Sequence, residues 1–176
     1  MVAADVDQTE IREALRKLCE GFPGEYWQQM DRERLYPSDF VSALTDSGFL
    51  SVLIPEHYGG AGLGLSAAAA ILEEIHRSGG NGGACNAQMY VMGTLLKHGS
   101  NEQKEHFLPK VAAGELRLQA FGVTEPSSGT DTTRISTFAR REGDHYLVSG
   151  QKIWTSRAEH SDLMILLART EKREAV

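Results

Sequence analysis

The spacing of apolar residues changes once along the chain, near Leu116, and that change limits the fold more than any other feature. Before it, apolar positions recur every three to four residues, as helices burying one face require. After it they come in short alternating or contiguous runs: LQAFGV, STFAR, HYLV, QKIWTS and DLMILLA. Such runs are strand signals. The pattern predicts an α+β chain, an all-α part over 1–117 followed by a β part over 118–176. With no closing partner for its few strands, the β part reads as incomplete, and the sequence looks cut rather than finished.

Five helices are predicted. Ile11, Leu15, Leu18 and Cys19 follow Thr9 as N-cap and stop at Gly21. Pro37-Ser38 opens a second helix with Phe40, Val41 and Leu44, ended by Gly48. Ser66 opens a third, AAAAILEEIHR, closed by Gly79-Gly80. A fourth runs from Cys85 to Lys97. Ser100 with Gln103 forms a capping box for a fifth, through Phe107 and Val111, with Pro109 bending or interrupting it. In the β part, Ser149-Gly150 is the expected hairpin turn between HYLV and QKIW.

Composition removes several function classes. A net charge of -6 argues against a nucleic-acid surface, which needs a basic field. The two cysteines, Cys19 and Cys85, have neither disulfide nor metal spacing, so a reducing cytoplasm is the simplest compartment. The start has no signal-peptide pattern, and no run is long enough to span a membrane. The six histidines lack metal-ligand spacing, and no metal is expected. The glycine clusters HYGGAGLGLS and SGGNGGA lack phosphate-loop registers and read as tight connections. Of adjacent Glu73 and Glu74, one is expected to face solvent. Met89 and Met92 could line an apolar channel, but helical spacing favours the core. Arg140, Arg141 and Lys152 are expected as exposed strand charges.

Two segments carry chemistry. FGVTEPSSGTD, from Phe121 to Asp131, turns out of a strand through hydroxyls and backbone donors that suit a pyrophosphate or a polar ring edge. Gly129 there allows close backbone approach. Self-capping of an ordinary loop explains the stretch equally well when it is taken alone. Later, YLVSGQKIWTSRAEHSD sets Trp154 on a strand beside Thr155 and Ser156. An indole can pack on a planar ligand while a neighbouring hydroxyl bonds its edge. Together the segments describe a flavin-sized site better than a catalytic triad.

These two segments, with VLIPEHYGGAGLG, ILEEIHR and GSNEQKEHFLPKVAAGE in the same order, resemble the acyl-CoA dehydrogenase family over nearly the whole chain. Arg134 departs from the small residue usual in the family motif, and WTS departs from its W-I-T or W-I-S. The resemblance implies an N-terminal helical domain and the first part of an antiparallel β-barrel domain that binds FAD. It implies cofactor contacts from Phe121, Gly122, Val123, Thr124, Gly129, Thr130, Trp154, Thr155 and Ser156, with Thr130 also touching the acyl-CoA substrate. It implies α,β-dehydrogenation of acyl-CoA thioesters in fatty acid metabolism, with hydride passing to FAD. Electron-transfer flavoprotein is the implied acceptor, and a homo- or hetero-oligomer the implied complete enzyme.

The family's catalytic base lies in a C-terminal domain that these residues do not include, so no catalytic residue is expected here and the chain alone is expected to be inactive. Glu125 and Asp131 then serve as loop braces. Competing readings are a flavin monooxygenase of the same fold, a subunit completed by a separate chain, and an inactive fragment or interaction module.

Overall fold

The computed structural model describes residues 8–171. The chain divides into two compact units, Met1–Leu118 and Gln119–Val176.

Among its described residues the first unit contains six α-helices: α1 (Thr9–Cys19), α2 (Gly24–Glu33), α3 (Ser38–Asp46), α4 (Leu65–Arg77), α5 (Gly83–His98) and α6 (Asn101–Ala112). Its core gathers Leu15, Phe40, Leu44, Leu50, Ile71 and Ile75, all at most 1% exposed. The apolar stripes predict these positions except Leu50, which lies in a short 3-10 turn, because residues three and four apart share a helix face. Thr9 is the first residue of α1 rather than its cap, since Gln8 occupies the cap position without a side-chain bond.

Helix α2 is the element the sequence reading leaves unassigned. It buries no residue fully, and its apolar residues Tyr26, Trp27 and Met30 are only half-buried. Aromatic packing holds it instead. Trp27 meets Phe40 edge-on at 4.8 Å between ring centroids, and its Nε1 donates to the Phe22 carbonyl at 3.0 Å. Edge-to-face pairs add to the burial of their surface.

Helix α1 packs on α4 through a buried carboxylate. Glu74 is 1% exposed and accepts from Arg16 Nε at 2.9 Å, while Glu73 stays in solvent and pairs with Arg12 at 2.6 Å. The Arg16 hydrogen bond, stronger than the opposing effect of burial, holds the Glu74 carboxyl below its usual range. Met92 is wholly buried, in accord with the core reading.

The capping box of α6 is present in both directions, Gln103 N to Ser100 Oγ at 3.2 Å and Ser100 N to Gln103 Oε1 at 2.9 Å. Pro109 removes one helical donor, yet α6 continues to Ala112 and closes with Ala113 N to Pro109 O at 2.9 Å. Ser100→Ala is expected to cost about 1 kcal/mol in urea unfolding, and loss of less than a few tenths would show the cap to be idle.

Among its described residues the second unit has four short strands: β1 (Ala120–Gly122), β2 (Phe138–Glu142), β3 (His145–Ser149) and β4 (Met164–Leu166). β2 and β3 form an antiparallel hairpin with Ala139 opposite Val148. β1 and β4 run parallel, Phe121 opposite Ile165, a pairing open to them because the long 123–163 connection allows a crossover. Arg169 joins the hairpin, its N–H donating to Thr137 O at 2.9 Å.

Three expectations about turns and strands in this unit differ from the structure. The hairpin turns at Gly143-Asp144, not at Ser149-Gly150, because Gly143 supplies the positive φ of +66° that a two-residue turn needs. QKIWTS forms no strand, since Trp154 adopts a left-handed φ of +59° that ends extended geometry. DLMILLA is not buried as a block, for Leu163, Met164 and Leu166 are exposed and Ile165 is half-buried. Among the described residues no helix is long and apolar enough to cross a membrane.

Candidate functional site

The stretch beginning at Phe121 leaves β1 and folds into a closed turn. Glu125 N donates to Ser128 O at 2.9 Å, and Ser128 N returns a bond to Glu125 O at 3.1 Å. Ser128 Oγ then donates to Asp131 O at 2.6 Å. Asp131 Oδ1 accepts from Thr133 N at 3.1 Å and from Thr133 Oγ1 at 2.5 Å. Ser128 and Asp131 therefore brace the loop, as these residue types do in tight turns. Gly129 and Thr130 stand outside this bracing and are exposed. A side chain at Gly129 would meet nothing within 4 Å, so the space beside it is open.

The second segment lies against the first. Ile153 N donates to Thr124 O at 2.9 Å. This bond sets Thr124 against Ile153, the residue before Trp154, and Trp154 is 85% exposed. Thr155 is half-buried and Ser156 exposed. The hydroxyls of Thr124, Thr130, Thr155 and Ser156 carry no intramolecular hydrogen bond among the described residues. An exposed tryptophan and unengaged hydroxyls on the two joined segments fit a planar heteroaromatic ligand with a polar edge. Phe121 and Val123 are half-buried and Gly122 buried, so they shape the strand end rather than face solvent.

Beneath the surface is a polar knot that sequence reasoning missed in part. Glu125, 2% exposed, accepts from Ser136 N at 2.6 Å, Ser136 Oγ at 2.7 Å and Thr137 N at 2.8 Å. Lys152 Nζ donates to Glu125 Oε1 at 2.9 Å and to Val123 O at 2.9 Å. Burial pushes the Glu125 carboxyl up, but the bonds from Thr137, Ser136 and Lys152 together outweigh it and hold the group well below the usual carboxylate range. Glu125 is thus an ionised brace, not a proton acceptor. The expectation that Lys152 is an exposed strand charge is wrong, because its side chain is 9% exposed and pairs with this carboxylate. Glu125 alone was legible as structural; a lysine two residues before the tryptophan was the available signal for its partner.

The helical unit carries its own feature, an apolar groove of about 330 Å³ lined by residues including Leu53, Leu65, Ala68, Leu72, Met89 and Tyr90. Leu65 is 78% exposed at its rim. Met89 therefore belongs to both readings, at the core and at a groove wall. Among the described residues no cluster of His, Cys, Asp and Glu could hold a metal ion.

Comparison with known proteins gives the family. The profile for the acyl-CoA dehydrogenase N-terminal domain matches residues 5–115, and that for the middle domain matches 120–176. The chain belongs to the acyl-CoA dehydrogenase family. It is 36% identical over 169 residues to a 3-(aryl)acrylate reductase of Clostridium sporogenes, covering 93% of this chain and 45% of that protein. It is also 36% identical over 171 residues to a glutaryl-CoA dehydrogenase of Desulfococcus multivorans, covering 94% of this chain and 42% of that one. The crystal structure of an acyl-CoA dehydrogenase from Geobacillus kaustophilus superposes with a TM-score of 0.85 at 30% identity, over 97% of this chain and 45% of that chain. The chain thus spans less than half the length of the curated relatives it matches.

Proposed function

We propose that the β unit supplies one side of an FAD site in an oxidoreductase that dehydrogenates acyl-CoA thioesters between the α and β carbons. The observation that carries this reading is the Ile153–Thr124 backbone bond, which joins the segment bearing the exposed Trp154 to the one bearing Thr124, with unengaged hydroxyls on both. Thr124, Thr155 and Ser156 would offer hydroxyls to the polar edge of the ring system, and Trp154 would pack near the ring. Phe121, Gly122 and Val123 would form the strand end behind it. Gly129 and Thr130 would face the open space, with Thr130 also reaching the acyl-CoA. Bound FAD would supply the hydride acceptor for the β-hydrogen, and electron-transfer flavoprotein would take the electrons onward. The apolar groove of the helical unit has the lining an acyl chain requires.

Titration of the chain with FAD, followed by flavin fluorescence, tests the reading. Saturable binding is expected, weakened about tenfold by Trp154→Ala and several-fold by Thr124→Ala, as loss of an aromatic contact and of a hydrogen bond predicts. Binding indifferent to both substitutions, or no saturable binding by folded protein, overturns it. The chain alone is expected to show no acyl-CoA turnover, since Glu125 is buried and fully engaged and cannot take an α-proton.

The reductase among the relatives favours a second reading, reduction of an α,β-unsaturated acid derivative over the same flavin-facing residues. Protection of groove tyrosine Tyr90 by an aryl acrylate but not by an acyl-CoA would select it.

A further inference from the structure

We propose that Lys152 is a positioning residue: its ammonium clamps the Val123 carbonyl and the Glu125 carboxylate and so fixes Thr124 in register with Trp154, Thr155 and Ser156. The consequence for the cofactor rests on the flavin reading above; the clamp itself does not.

The segment from Gln151 to Ser156 belongs to no strand. Among the described residues, a single backbone hydrogen bond, Ile153 N to Thr124 O at 2.9 Å, joins it to the 121–131 stretch. One neutral bond at a partly exposed site opens readily. Lys152 adds two charge-assisted bonds, each 2.9 Å, to the residues immediately before and after Thr124. Such bonds are the strong ones, more so where water is kept out. Here the ammonium-bearing side chain is 9% exposed and the carboxylate side chain 1% exposed. Thr124 is therefore bracketed, its carbonyl held by Ile153 and both neighbours held by Lys152.

Two further features fit a clamp. A Cβ at Gly122 would lie 2.9 Å from Met164 Sδ and 3.2 Å from Leu166 Cδ1, with Lys152 Cγ at contact distance, 3.4 Å, so the lysine stem runs alongside this glycine. Trp154 keeps a φ of +59°, a conformation that persists in a non-glycine residue when its surroundings impose it. Lys152 is the buried anchor two residues upstream. Glu125 in turn is fixed by Ser136 and Thr137, so the clamp closes on a rigid acceptor rather than on a mobile side chain.

Amide hydrogen exchange on the 176-residue chain tests the clamp, with Lys152→Met as the first variant. The Ile153 amide is expected to exchange at least about tenfold faster, while the Leu167 amide, bonded to Gly122 O, and the Ala139 amide, bonded to Arg169 O, keep their rates. Equal acceleration of all three would reduce Lys152 to a general contributor to stability and overturn the proposal, as would no change at Ile153. Because Lys152→Met leaves a buried carboxylate without its cation, the Glu125→Gln/Lys152→Met double variant is the companion. It should regain stability without regaining Ile153 protection; restored protection, or failure of both variants to fold, overturns the proposal.

FAD titration of the same samples reads the second half. Binding is expected to weaken about tenfold in Lys152→Met while the Leu167 amide stays protected. Unchanged affinity with a released Ile153 overturns positioning of the cofactor side. If the parent chain does not bind FAD, the flavin reading fails, and the exchange pattern still decides whether Lys152 sets the register.

Discussion

Gly60→Ala is expected to destabilise the helical unit by about 3 kcal/mol or more, the cost of a clash that cannot relax by rotating a side chain. A Cβ at position 60 would sit 2.1 Å from Ile54 O, 2.4 Å from Ile54 Cβ and 2.6 Å from Ser51 O. Two of those atoms are backbone. The returning strand of the loop is laced to the same stretch by Gly62 N to Ile54 O at 2.8 Å and Leu63 N to Val52 O at 2.9 Å. Moving position 60 outward therefore breaks main-chain bonds as well. Urea unfolding monitored by circular dichroism measures the effect. Gly24→Ala is the control, because a Cβ there meets nothing within 4 Å and the position is helical. It should be neutral or slightly stabilising. Equal midpoints for the two variants would mean that the loop does not pack as described.

Glu125→Ala should cost about 3–5 kcal/mol, since it strands the Lys152 ammonium and the Ser136 and Thr137 amides in a dry site. The acid response of the parent protein follows from the same knot. The folded-state Glu125 carboxyl titrates below its ordinary value of 4.5. Such a group contributes its full stabilisation above the unfolded value, and loses it as pH falls from there through the folded value. The parent should therefore lose stability more steeply below about pH 4.5 than Glu125→Gln, which has no proton to gain. Parallel acid limbs for the two proteins would show that the carboxylate is not ionised in the fold.

The helical half was readable because its signals are local. Ser100 and Gln103 specify their own cap, and Phe40, Val41 and Leu44 mark a face that any partner surface must cover. Helix α2 escaped because Trp27 and Tyr26 are satisfied by Phe22 and Phe40, contacts that periodicity within ten residues does not express. In the β half the positions of β1, β2, β3 and β4 were legible as apolar runs, while pairing was not. Gly143-Asp144 and Ser149-Gly150 both resemble turn signals, and register with Phe138 to Glu142 decides between them. Lys152 was misplaced for a related reason. A lysine belongs in solvent unless a partner is already buried, and that partner, Glu125, lies 27 residues upstream. The segments that carry the candidate site were recognisable by their hydroxyls and tryptophan; what holds them together was not.

The chain's two tryptophans fall one in each compact unit, and their surroundings are opposite. Trp27 is ringed by Tyr26 and Phe40 and bonded through its indole nitrogen, whereas Trp154 stands almost entirely in water. The protein thus contains two optical reporters with separable addresses. A collisional quencher in solution strikes Trp154 more often than the half-buried Trp27, so the less-quenched light weighs towards the melting of the helices. The quenchable fraction follows whatever shields the other ring.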